Sequence, residues 1–206
     1  NYGYGAPTGG GPDMSVSGWQ IQAMNAAGHT GMDFPGMPEA FKKAIVYVQN
    51  SQSDNGAFGY RGKNGPSYGM TGVAGLALIV GGQERGKELR RGMDFIREDW
   101  GRRRAPFEYD SPDAHLYGSY YINQVSFMQG GKMWRDWNKA LQEELLPNQK
   151  EDGSYKEEGG AMGAHGSGAA GPDAEIYRTA LCTLMLEVYY RYLPATEKLG
   201  GGLGGD

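Results

Sequence analysis

Cysteine is almost missing from this chain. One thiol in 206 residues, Cys182, leaves no internal disulfide and no zinc site that needs two thiolates. Long apolar runs are missing too. The longest, Val73 to Val80, falls far short of the roughly 20 residues that span a bilayer, so no membrane-crossing helix is expected. Positive charge is not in excess: 20 Lys and Arg stand against 24 Asp and Glu, with pI near 5.5. That argues against a nucleic-acid partner held by phosphate contacts. There are 36 Gly and 10 Pro but no Gly-X-Y period, which excludes collagen and points to many turns. At 39% hydrophobic and 21% charged, the chain is too apolar to be disordered and can bury a core.

Strand-like alternation is also lacking. What is present is apolar spacing of three and four. Ile176, Ala180, Leu181, Leu184, Met185 and Val188 make one apolar helix face, and Met133, Trp137, Ala140, Leu141 and Leu145 make another. The pattern predicts seven helices, near 13–28, 38–51, 67–80, 84–99, 113–129, 132–146 and 173–192. Four of them begin alike. Pro12-Asp13, Pro66-Ser67, Pro112-Asp113 and Pro172-Asp173 each precede a helical pattern. Asp and Ser oxygens accept from free N–H groups of a first turn, so Asp13, Ser67, Asp113 and Asp173 read as N-caps. The Pro before each discourages an earlier start.

The other three helices carry a second repeat. Lys43-Ala44, Tyr47-Val48, Gln49, Gly56 and Phe58 form one copy. Lys139-Ala140, Leu145, Gln149, Gly153 and Tyr155 form another, and Arg91-Gly92, Phe95-Ile96 and Trp100 a worn one. Phe58, Trp100 and Tyr155 are expected to pack as structural aromatics of a Gly-rich loop.

This pattern resembles the QW repeat of squalene and terpene cyclases. Asp54-Asn55-Gly56-Ala57-Phe58-Gly59-Tyr60 is similar to a loop shared with protein prenyltransferase β subunits. Three further stretches, Asp13 to Gln20, Tyr120 to Gly131 and Tyr189 to Pro194, resemble a bacterial branch of the prenyltransferase/squalene-oxidase repeat superfamily common in planctomycetes. The resemblance implies an all-α fold: an α/α toroid, here a partial ring of about three and a half helix pairs, its cap-started helices parallel and inside. Residues 1–12 would continue a preceding repeat, 13–194 form the toroid domain and 195–206 a Gly-rich flexible tail. The chain starts at Asn1, and Asn1-Tyr2-Gly3-Tyr4-Gly5 looks like the end of an earlier QW loop. A missing half-ring, or a partner over the open edge, is therefore expected.

The family's chemistry does not carry over. No Asp-X-Asp-Asp acid motif is present, and Asp110-Ser111-Pro112-Asp113 has the wrong spacing. Asp173-Ala174-Glu175 has Glu where prenyltransferases carry a zinc-binding Cys, and Tyr177-Arg178-Thr179 has Arg in the place of their His ligand. Arg cannot deprotonate to bind metal. The thioester motif of complement-like relatives is absent. His29 and His165 fall in loops with no converging spacing, so neither metal nor cofactor is expected.

Three residues remain as weak catalytic candidates: His115 with Tyr120, as in toroid lyases that pair Tyr with His, and Arg178. For His115 the alternative is packing in a tyrosine-rich ring. Arg178 beside a helix start could grip an anion or pair with Glu175. Met14, Tyr68, Met70, Tyr117, Tyr121, Glu175, Tyr177 and Arg178 are candidate lining residues for a hydrophobic or glycan ligand. Trp19, Trp134, Trp137, Tyr189, Tyr190 and Tyr192 are candidates for an interface. Pro147 to Pro172, with no helical pattern, reads as a solvated loop or as a lid or docking arm. The leading expectation is a non-catalytic scaffold or subunit that binds a protein partner or itself. Ligand binding in the toroid cavity and a cyclase-, prenyltransferase- or lyase-like enzyme are the alternatives. High Tyr and Gly and the branch resemblance point outside the cytoplasm.

Overall fold

A computed structural model describes residues 12–103, 106–109, 115–156 and 172–192. These residues are all-helical: eight α-helices and, in the loops, only isolated bridge pairs. The helices are α1 (Met14–Gly28), α2 (Met37–Asn50), α3 (Tyr68–Val80), α4 (Lys87–Arg103), α5 (Leu116–Gln129), α6 (Gly131–Asn148), α7 (Pro172–Leu186) and α8 (Val188–Tyr192). No helix among them is long and apolar enough to cross a membrane. Two compact units divide the chain, the first ending at Glu98 and the second running Asp99–Tyr192. Residues 1–11, 193–206, Asp113 and His165 lie outside the described residues, as does 157–171 of the expected loop arm.

In the first unit α1, α2 and α3 pack against one another. α3 is itself built of small and apolar residues, and it is buried from Gly69 through Leu78. Gly18 lets α1 approach it, since a Cβ there would overlap the Val73 side chain. α2 is different: Phe41, Ala44, Ile45 and Val48 form one buried stripe, while Glu39 and Lys43 pair on the exposed face. Burying each large side chain of that stripe contributes about 1.5–3 kcal/mol.

The second unit repeats the contrast. α5 is buried from Gly118 through Ser126, and α6 buries only Met133, Trp137, Leu141 and Leu145. Trp137 stacks on Trp100 at 5.6 Å and meets the edge of Phe107 at 5.9 Å. Its indole Nε1 donates to Asn123 Oδ1 at 2.8 Å, and Asn123 Nδ2 donates to the Met185 carbonyl at 2.9 Å. One fully buried amide thereby ties α5 to α6 and α7.

Several expected boundaries move; α4 starts at Lys87 rather than near 84, and α6 takes in Pro147 and Asn148 of the expected loop. The single helix over 173–192 is broken at Glu187 into α7 and α8. The Met185 carbonyl is taken by Asn123, and the chain tightens as Tyr190 N–H donates to the Glu187 carbonyl at 2.9 Å. Trp100 is helical, not in a loop: α4 runs on to Arg103, with Asp94–Arg97 and Asp99–Arg102 pairs along it. α5 begins at Leu116, so its N-cap is His115 and not Asp113. Asp173 is the second residue of α7 rather than the residue ahead of it.

Asn123→Ala leaves both the Trp137 N–H and the Met185 carbonyl buried without a partner. At about 1–3 kcal/mol for each orphaned group, the expected loss is about 2–6 kcal/mol in urea unfolding. An unchanged midpoint would remove this amide from the account of the unit's stability.

Candidate functional site

Two loops have the same construction. In the first, Gln52 Nε2 donates to the Gly56 carbonyl at 2.9 Å, Ser53 N–H to the Ala57 carbonyl, and Gln52 bridges to Phe58. In the second, Gln149 Nε2 donates to the Gly153 carbonyl at 3.1 Å, Lys150 N–H to the Ser154 carbonyl, and Gln149 bridges to Tyr155. Asn55 Oδ1 accepts from Ala57 N–H where Asp152 Oδ1 accepts from Ser154 N–H. Gly56 and Gly153 both hold a left-handed backbone, at φ 90° and 86°. Gln49 does not belong to this pattern. It lies at the end of α2 and reaches Gln83 at 3.5 Å, and the loop glutamine is Gln52.

Phe58 and Tyr155 are both fully buried. Phe58 N–H donates to the Thr71 hydroxyl at 3.0 Å, which fixes the first loop on α3. The Tyr155 carbonyl accepts from Arg178 Nε at 3.3 Å, which fixes the second on α7. Arg178 is only 6% exposed, so this guanidinium is a tie within the unit. Glu175 pairs with Lys150 at 3.1 Å rather than with Arg178. Ser154, then Lys150, lowers the Glu175 carboxyl below its usual range. Tyr177 is half-buried and Ile176 exposed on the same helix.

The Tyr155 hydroxyl is buried with no hydrogen-bond partner. Burial, with a smaller push from Cys182, raises the phenol to about 12. Cys182 is itself fully buried and in no disulfide.

At the start of α5, His115 Nδ1 accepts from Gly118 N–H at 2.8 Å. A neutral ring accepting at Nδ1 carries its proton on Nε2. Its ring lies 6.4 Å from Tyr117, whose hydroxyl donates to that of Tyr121 at 3.4 Å. Tyr120 and Tyr121 meet edge to face at 5.1 Å, both buried.

In the first unit Asp13 caps α1, accepting from Ser15 N–H at 2.9 Å and Val16 N–H at 3.3 Å. The Asp13 carboxylate, then burial, pushes the Tyr60 phenol up. Ser67 caps α3 by accepting from Met70 N–H at 3.2 Å. Of the lining candidates here, Met14 and Met70 are buried and Tyr68 is half-buried. Among the described residues no group of three or more His, Cys, Asp or Glu is placed to hold a metal ion, and His29 is exposed at the C-cap of α1.

The interface candidates separate sharply. Trp137 is core. Trp134, Phe127 and Tyr189 form a half-buried three-ring cluster with mutual edge contacts at 5.1, 5.6 and 5.4 Å. Trp19 is exposed and Tyr190 is 83% exposed. The side chain of Tyr192 lies outside the described set. No protein-family model, curated protein or solved structure matches this chain.

Sequence reasoning passed over Gln52 and Asn123, and read Arg91 only as part of a worn repeat copy. The signal for Gln52 was available, since Gln-X3-Gly-X-aromatic reads the same from Gln52 and from Gln149.

Removing the α5 cap by His115→Ala is expected to cost about 1 kcal/mol, with most of it restored by His115→Asn. Equal stability of all three proteins in urea unfolding would show that the cap contributes nothing. Tyr155→Phe removes a buried hydroxyl that has no partner and is expected to stabilise by about 1 kcal/mol. The same change alters the alkaline limit. A phenol raised in the folded state contributes stability that is present below its unfolded value of 10 and lost as pH climbs through about 12. Tyr155→Phe should therefore unfold at higher pH than the parent chain, as followed by circular dichroism.

Proposed function

We propose that this chain is a non-catalytic scaffold built from QW-type repeats of the α/α-toroid kind, and that it works by binding protein. The observation that carries the reading is the aromatic surface of α5, α6 and α8. Three large rings, Phe127, Trp134 and Tyr189, hold one another in fixed geometry while half-buried, and Tyr190 stands 83% exposed on α8. Rigid Tyr and Trp rings with a polar tip are what protein interfaces are enriched in.

Two further features support it. α3 and α5 are buried all round while α2 and α6 each bury one stripe, a contrast suited to inner and outer helices of a toroid. The side chains best equipped for chemistry are engaged in holding the fold, His115 on Gly118 N–H and Arg178 on the Tyr155 carbonyl. A second reading, a glycan or hydrophobic ligand, rests on half-buried Tyr117 with its hydroxyl on Tyr121 at the start of α5.

Native mass spectrometry of the protein as isolated is expected to find it in an assembly, with another polypeptide or with itself. Tyr190→Asp should disperse that assembly and leave stability within about 0.5 kcal/mol, since the ring touches mostly solvent. A monomer at every concentration, with Tyr190→Asp behaving identically, would overturn the scaffold. A glycan or lipid mass released on denaturation would favour the second reading.

A further inference from the structure

The two Gln–Gly–aromatic loops are alike in their own bonds and unlike in what covers them. Helix α4 sits on the first. Gln52 Nε2 donates to the Glu88 carbonyl at 2.7 Å as well as to Gly56. Arg91 closes over the loop, its guanidinium donating to Gln52 Oε1 at 3.3 Å, to the Ser53 carbonyl at 3.3 Å and to the Asp54 carbonyl at 2.6 Å. The approach is tight. A Cβ on Gly56 would stand 2.6 Å from the Arg91 carbonyl oxygen, and one on Gly92 would stand 3.2 Å from the Phe58 ring.

At the second loop the corresponding face is uncovered among the described residues. Among the described residues no atom lies within 4 Å of a Cβ built on Gly153, and the side chain of exposed Gln149 makes one hydrogen bond, to Gly153. The left-handed backbone, the glutamine bridge and the buried aromatic are all in place with no described helix upon them.

We infer that Gln149–Tyr155 is a docking site for a helix of another polypeptide with the chemistry of α4. Such a helix presents a backbone carbonyl to Gln149, an arginine three residues later to the loop carbonyls, and a glycine or other small residue after that. Charge favours it as well: Glu151 and Asp152 are exposed on this loop, where an arginine would arrive. None of the described residues supplies the occupant. Arg91 and Gly92 are engaged on the first loop, and residues 193–206 contain no arginine. The proposal rests on the scaffold reading in that both require a protein partner, but it concerns a different surface.

The test uses the full chain and a synthetic probe. The probe has the sequence of Lys87–Arg103, side-chain stapled because a free helix of this length is marginal in water. Titrated with the chain and followed by fluorescence anisotropy, it is expected to bind saturably, one to one. Replacing its arginine (Arg91→Ala) should weaken binding about tenfold or more, the effect of losing hydrogen bonds from a charged group. Gln149→Ala in the chain should weaken it similarly, and Tyr190→Asp should not. If Gln149→Ala fails to fold, Glu151→Lys leaves the loop's own bonds intact and is expected to weaken binding by reversing a charge. No binding, or binding unaffected by Gln149→Ala and Glu151→Lys, overturns the inference. So does binding lost with Gln52→Ala alone, which would mean that the probe had exchanged with α4. Failure here with Tyr190→Asp still dispersing an assembly would leave the scaffold reading standing.

Discussion

A helix buried on every side must still satisfy whatever polar groups it carries, and in the second unit that requirement falls on one amide. Asn123 has an acceptor and two donors and sits where water does not reach. It gives its oxygen to the Trp137 indole and a hydrogen to the Met185 carbonyl. Much else follows from that placement. Trp137 is held where Trp100 stacks on it, and the end of α7 is fixed at the point where the chain turns into α8. The bend at Glu187 in turn brings Tyr189 to Phe127 and Trp134. An aromatic surface half in water thus depends on a polar contact wholly out of it.

The paired loops show how a short sequence fragment can be a structural unit before it is a functional one. A glutamine closing on the carbonyl four residues ahead, a glycine with positive φ and a buried ring are enough to build the turn. What lies over the turn is a separate matter. With α4 in place the first loop is sealed by one arginine, while on the second, where no described helix lies, Glu151 and Asp152 are exposed.

The all-helical class was legible because the apolar spacing is three and four throughout, and no competing alternation had to be weighed. Caps at Asp13 and Ser67 stand where a Pro-Asp or Pro-Ser pair marks them. The misses have local causes. His115 is an uncommon cap, and only its position reveals that Nδ1 can meet Gly118 N–H. α4 outran its expected end because Trp100 finds a ring to stack on, a contact that sequence cannot see. Gln49 was taken in place of Gln52 because glutamines three apart both fit a loose pattern, and only the hydrogen bond to Gly56 separates them. Arg178 and Glu175, three apart on one helix, looked like natural partners, yet each turns to the loop ahead of α7. Ring closure and partner lie beyond helical periodicity altogether.

Cys182 has a use that its burial creates. It is the only thiol in the chain, it is shut away on α7, and its neighbour Tyr155 carries a hydroxyl with no bond to break. An alkylating reagent reaches such a sulfur only when the helix lifts from its surroundings. The chain therefore contains its own stopwatch: the pace of labelling at one atom measures how often α7 comes away from the rest of its unit.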